Sequence, residues 1–60
     1  MKLGDYINVH RVNAGMTQKE LAARCEMNVK RIRRYETNEV SPRFNDLVKI
    51  AKAMGVDKIN

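Results

Sequence analysis

The chain has 60 residues, 43% of them hydrophobic. That suffices for one small core, because a domain of this size buries only about 60% of its unfolded surface. We therefore expect a single domain over residues 1–60, too small for the deep pocket of most enzymes. Twelve Lys and Arg against seven Asp and Glu give a net charge of +5, which favours a polyanionic partner such as nucleic acid or an anionic membrane surface.

Apolar residues recur at helical spacing and no stretch alternates as a strand does, which predicts an all-α fold of four to five helices. The first helix is expected from Lys2 to Asn13, with Gly15 ending it in the left-handed conformation. Its buried side is expected to carry Leu3, Ile7 and either Tyr6 or His10.

The second helix begins at a capping box. The Thr17 hydroxyl can accept from the backbone N–H of Glu20, whose carboxylate can reach back to the cap. The pattern predicts a helix from Gln18 to Cys25. Its inner face is expected to hold Leu21, Ala22 and Cys25.

A second N-cap, Asn28, follows Cys25 by only three residues, so Glu26 and Met27 must turn the chain sharply. Two short helices joined by such a turn are typical of the helix-turn-helix motif.

The third helix, expected from Asn28 to Thr37, is strongly basic. Ile32 and Tyr35 are spaced to pack inward, and Asn38 can end the helix in the left-handed conformation. Four cationic side chains fall on the remaining arc: Lys30, Arg31, Arg33 and Arg34. Residues 28–43 hold five basic and two acidic residues, a net charge of +3. Charge alone fits a solvated surface as well as a nucleic-acid contact.

Pro42 is expected to open a fourth helix that ends at Met54, before Gly55. Asp57 could cap a fifth turn carrying Ile59. The apolar stripe of the fourth helix is predicted to be Phe44, Leu47, Ile50, Ala51 and Met54.

Several classes of site are not expected. Cys25 is the single cysteine, which excludes an internal disulfide, and with His10 it gives too few ligands for structural zinc. We expect no cofactor and no small-molecule ligand. No apolar run nears the ~20 residues that span a bilayer, and residues 1–5 lack the apolar core of a secretion signal. A cytoplasmic location is therefore expected.

Four short motifs follow one another along the chain. They are Thr17-Gln18-x-Glu20-Leu21-Ala22, Ile32-x-x-Tyr35-Glu36, Ser41-Pro42 and Leu47-x-x-Ile50-Ala51-x-Ala53-Met54-Gly55-Val56. Together they resemble the phage repressor and Cro type of helix-turn-helix proteins over nearly the whole chain. The resemblance implies a compact bundle whose third helix enters the major groove while the second lies across it.

The resemblance also implies roles for individual residues. Base-edge contacts are implied for Asn28, Val29, Lys30 and Arg34. Backbone contacts, or a choice between backbone and bases that stays open, are implied for Thr17, Gln18, Arg31, Arg33 and Arg43. A buried ion pair between the first helix and the end of the third is implied for Arg11 and Glu36.

The chain departs from the family pattern in places. Glu26 replaces a turn glycine and must tolerate the left-handed region, at a cost of about 1 kcal/mol. Arg43 replaces a small polar cap, so the fourth helix depends on Pro42 and Ser41 for its start. Cys25 and His10 stand where leucine-like residues are usual, and structural roles are favoured over redox sensing or pH switching.

The basic third helix and the family resemblance together imply a sequence-specific regulator that binds double-stranded DNA in a prokaryote or phage. A repressor is the favoured role. A weak homodimer on a palindromic or repeated site is expected, because one copy covers few base pairs. The end of the fourth helix, with Met54, Val56 and Ile59, is a candidate dimer interface, but a role of the same residues in the core is favoured. The alternative is a protein-docking module such as an antitoxin or regulatory half. RNA binding is less favoured without an aromatic pair for stacking, and an enzyme least of all.

Overall fold

The computed structural model describes residues 2–56, which form four helices and, within that range, no strand. The helices are α1 (Leu3–Asn13), α2 (Gln18–Cys25), α3 (Val29–Glu36) and α4 (Phe44–Met54). The predicted all-α fold with a helix-turn-helix, formed here by α2 and α3, is confirmed. The turn expected at Asp57, with Ile59, lies outside the described residues. The longest described helices have 11 residues, too few to cross a bilayer.

The caps predicted for the helix-turn-helix are present. The Thr17 hydroxyl accepts from the Glu20 backbone N–H at 3.0 Å, and the Glu20 carboxylate accepts from the Thr17 N–H at 2.9 Å. Asn28 Oδ1 accepts from the Lys30 N–H at 2.8 Å. Between them, Glu26 has φ 56°, so the turn does use a non-glycine residue in the left-handed region, as predicted.

Each helix contributes one fully buried aliphatic side chain to the core: Ile7, Leu21, Ile32 and Ile50. Tyr35 and Cys25 are buried beside them, and burial raises the pKa of the Cys25 thiol above its ordinary value. His10 is half-buried, with its ring centroid 4.3 Å from that of Tyr6. These positions agree with the structural roles favoured for Cys25 and His10.

The start of α4 differs from the prediction. Pro42 does not open the helix, because Arg43 is the N-cap and the helix begins at Phe44. Arg43 is extended, with φ −70° and ψ 153°, and makes no side-chain cap hydrogen bond. Pro42 therefore acts one position before the cap, where its fixed φ restricts the incoming chain.

Two residues assigned to the core are exposed instead. Phe44 is 78% exposed and Leu3 is 47% exposed. At 3.6 residues per turn, Phe44 lies about 120° around α4 from Ile50, beyond the edge of the face that is buried. On α1 the buried positions are Gly4 and Ile7, which leaves Leu3 at the border. The Leu3 side chain borders an apolar groove between α1 and α4, which Tyr6 and Leu47 also line.

The start of α1 lies directly against the end of α3. Asn38, left-handed at φ 64° as predicted, accepts at Oδ1 from the Gly4 N–H at 3.0 Å. Its Nδ2 donates to Asp5 Oδ1 at 3.1 Å. A Cβ atom on Gly4 would overlap the carbonyl oxygen of Tyr35. This close approach, which only glycine allows, attaches the C-terminal end of α3 to the rest of the bundle.

Candidate nucleic-acid interface

The outer surface of α3 is cationic and its inner surface belongs to the fold. Ile32, Tyr35 and Glu36 are buried. The four cationic side chains are all exposed: Lys30, Arg31, Arg33 and Arg34. Because the inner face of α3 is packed against α1 and α2, the orientation of the cationic face follows from the core.

A surface groove of about 460 Å³ runs between α3 and the segment that leads into α4. It is lined by Asn28, Lys30, Arg31, Arg34, Tyr35, Val40 and Arg43. Four of these seven residues are cationic, and five belong to the set that the sequence assigned to DNA contact. The groove thus brings the start of α3 together with the N-cap of α4. Thr17, Gln18, Val29 and Arg33 do not line it.

At the start of α3, the side chains of Asn28 and Val29 already make contacts within the fold. Asn28 is exposed, but its Oδ1 accepts from the backbone, which leaves the amide N–H groups for a ligand. Val29 is half-buried and packs against the core, so only part of its side chain is accessible.

Arg31 is linked to α4 through an acidic residue that the sequence analysis did not single out. Its guanidinium lies 2.9 Å from Asp46 Oδ2, and its Nε donates to the Tyr35 hydroxyl at 3.2 Å. That hydroxyl in turn donates to Asp46 Oδ2 at 2.5 Å. Asp46 is buried on α4. Its position, four residues before Ile50 and eight before Met54 on the buried face, is the signal that could have identified it.

Arg11 and Glu36 form the ion pair that the resemblance implied. Arg11 Nε donates to Glu36 Oε2 at 2.7 Å, and the two side chains are 12% and 3% exposed. The Glu36 carboxylate also accepts from Asn8 at 2.9 Å and from Gln18 at 3.1 Å. Arg11 further donates to the carbonyl oxygen of Met16 at 2.7 Å. One carboxylate at the end of α3 therefore joins α1, α2 and α3.

The pKa of Glu36 reflects opposing effects. Burial alone would raise it, but hydrogen bonds from Arg11, Asn8 and Gln18, with the charge of Arg11, lower the pKa below its ordinary value on balance. The carboxylate therefore stays ionised at neutral pH. The sequence analysis missed Asn8, and only its position on α1 one turn before Arg11 could have suggested it.

Gln18 and Thr17 lie at the N-terminus of α2. The Gln18 side chain is half-buried and donates one N–H to Glu36, so its orientation is fixed from inside the fold. Thr17 is exposed and its oxygen caps the helix. The N-terminus of a helix favours anions through its backbone N–H groups, and these two residues border it.

Comparison with protein families gives one match. Residues 7–58 match the family model described as helix-turn-helix, which covers all four helices except the first turns of α1. No curated protein and no solved structure matches the chain.

Proposed function

Because the chain belongs to the Cro/C1-type helix-turn-helix family of DNA-binding regulators, we propose that it is a sequence-specific repressor that inserts α3 into the major groove of double-stranded DNA. The observation that carries this proposal is the exposure of all four cationic side chains of α3. An α-helix fits the major groove, where base pairs present distinct patterns of donors and acceptors.

Lys30 and Arg34 are the proposed base readers. Both are exposed and both line the cationic groove. Lys and Arg donate to O6 and N7 of guanine, which is the commonest specific contact in the major groove. We therefore expect G-containing half-sites. Asn28 contributes its amide N–H groups, and the accessible part of Val29 contributes an apolar contact with a thymine methyl group.

The remaining residues supply the sequence-independent attraction to phosphates. Arg43, at the N-cap of α4, borders the same groove as Lys30 and Arg34. Arg33, Thr17 and Gln18 lie outside that groove and are proposed to contact flanking phosphates. Phosphate contacts position a protein on DNA, whereas base contacts specify the sequence.

The test has two stages. Selection of bound sequences from a random duplex pool is expected to yield G-containing half-sites. Their centres are expected to lie about one helical turn apart, as for a weak homodimer. Recovery of no enriched sequence would contradict the proposal. The selected duplex and a panel of mismatched duplexes then serve to separate base contacts from backbone contacts.

Arg34→Ala is expected to lose discrimination, at about 1–3 kcal/mol for its base pair. Arg43→Ala is expected to weaken binding to every duplex alike and to reduce the salt slope by about 0.9. Electrophoretic mobility shift across the panel distinguishes them. If both variants weaken all duplexes equally, Arg34 is not a base reader.

The alternative is a protein-docking module, such as an antitoxin or a regulatory half. It is less well supported, because an exposed helix face made of four cations is suited to a polyanion, whereas the cores of protein interfaces are depleted in charged residues. The selection experiment separates the two functions directly.

A further inference from the structure

Asp46 belongs to α4, but its side chain contacts α3, the helix proposed to enter the major groove. Its Oδ2 accepts from the Tyr35 hydroxyl and lies 2.9 Å from a terminal nitrogen of Arg31. We name Arg31, Tyr35 and Asp46 the clamp. Asp46 and Tyr35 are buried, whereas the Arg31 side chain remains 47% exposed. A buried carboxylate thus holds one exposed cation of α3 in one position.

The atoms used by the clamp determine what Arg31 has left to offer. A guanidinium has five N–H donors in a rigid plane. The edge formed by Nε and one terminal nitrogen, Nη2, is occupied by the Tyr35 hydroxyl and Asp46. The opposite edge, which carries Nη1, remains for a ligand. Arg31 therefore reaches DNA from a fixed position and with a charge that Asp46 partly neutralises.

We propose that Asp46 is a specificity-determining residue, which restrains Arg31 so that this cation adds little to indiscriminate binding of DNA. The inference rests on the proposed function, since it requires α3 to face the duplex. Attraction to phosphates is independent of sequence, and each unrestrained cation strengthens binding to every duplex. Asp46 competes with phosphate for Arg31. In the specific complex the base contacts of Lys30 and Arg34 hold α3 in one register, so a released Arg31 gains little there, whereas on random duplex the chain can shift until Arg31 meets a phosphate. The competition therefore lowers non-specific affinity more than specific affinity.

Asp46→Asn removes the charge and keeps the size and the acceptor oxygen of the side chain. It is expected to steepen the salt dependence of binding to random duplex by about 0.9, the value for one additional phosphate contact. Its affinity relative to wild type is then expected to rise about 3.5-fold between 200 and 50 mM salt. The ratio of specific to non-specific affinity is expected to fall.

Two further variants identify the cause. Arg31→Gln in the Asp46→Asn background is expected to cancel the gain, because the released cation is then missing. Glu26→Gln is the matched control, since it removes the same charge from an exposed position outside the clamp. If Glu26→Gln produces the same change in slope, or if Arg31→Gln leaves the gain intact, the effect is one of net charge and the proposal is wrong.

A measurement without DNA tests the clamp itself. The NMR signal of Arg31 Nε–H is expected to exchange slowly with water in the wild-type chain, and faster in Asp46→Asn and Tyr35→Phe. Circular dichroism melting curves check that each variant folds. An intact clamp signal in a chain that binds no duplex would refute the proposed function. Duplex binding with the same salt slope and specificity ratio in wild type and Asp46→Asn would overturn the role assigned to Asp46, as would rapid Nε–H exchange in the wild type.

Discussion

Arg11→Ala is predicted to unfold a large fraction of the chain at neutral pH. Arg11 makes two hydrogen bonds to the Glu36 carboxylate, at 2.7 and 3.1 Å, and a third to the carbonyl oxygen of Met16. Alanine makes none of them. Glu36 would keep only the amide donors of Asn8 and Gln18 and would remain a buried charge without a cation.

The magnitude follows from the burial of the pair. Removal of one partner of a buried ion pair costs about 3–5 kcal/mol. At about 0.05–0.15 kcal/mol per residue, the free energy of unfolding of a 60-residue chain is about 3–9 kcal/mol. The loss is therefore comparable to the whole stability. Urea denaturation followed by circular dichroism at 25 °C measures it, with Arg24→Ala as the control, because Arg24 is an exposed cation on α2.

The pH dependence of the stability lost in Arg11→Ala distinguishes the effect of the Glu36 charge from the effect of lost side-chain packing. Because the pKa of Glu36 is lowered in the folded chain, its contribution is fully present above the ordinary glutamate value of about 4.3. That contribution is lost as the pH falls through the lower folded value. The difference between wild type and Arg11→Ala is thus expected to be largest near pH 7 and to shrink below about pH 4. An unchanged urea midpoint, or an equal difference at pH 3 and pH 7, would refute the reasoning.

Two further predictions concern the backbone. Gly4→Ala is expected to destabilise the chain by about 1–3 kcal/mol, because the new Cβ meets the carbonyl oxygen of Tyr35; thermal unfolding that matches wild type would show that α1 can move away without cost. Glu26→Gly is expected to raise the free energy of unfolding by about 0.5–1 kcal/mol, since relief of left-handed strain exceeds the extra entropy of the unfolded chain. A lower urea midpoint for Glu26→Gly would contradict that balance.

Local rules account for the parts of the structure that were predicted well. The starts of α2 and α3 follow from hydrogen bonds that Thr17 and Asn28 make within three residues of the chain. The left-handed conformations of Glu26 and Asn38 are a common way to close the C-terminal end of a helix, here α2 and α3. Such features depend on neighbouring residues, so a single sequence contains the information that they need.

The errors occur where burial depends on a distant element. Periodicity places Phe44 near the apolar stripe of α4, but it does not say how far α1 extends over the start of that helix. Leu3 is likewise exposed, because the buried face of α1 is formed by Gly4 and Ile7. The approach of Gly4 to the end of α3, which joins the start of α1 to that helix, is a contact between residues 34 positions apart in sequence. The clamp was missed because Asp46 and Arg31 belong to different helices.

Two buried carboxylates, Glu36 and Asp46, form ion pairs that involve α3. They affect the charge of its exposed face differently. Glu36 pairs with Arg11, whose side chain is 12% exposed. That pair lies within the fold and neutralises none of the cations on the exposed face of α3. Asp46 pairs with Arg31, whose side chain is 47% exposed, so that pair lies at the exposed cationic face of α3. Among residues 2–56, Lys30, Arg33 and Arg34 have no ion-pair partner. The exposed face of α3 therefore carries three cations without an ion-pair partner and one, Arg31, whose charge is shared with Asp46.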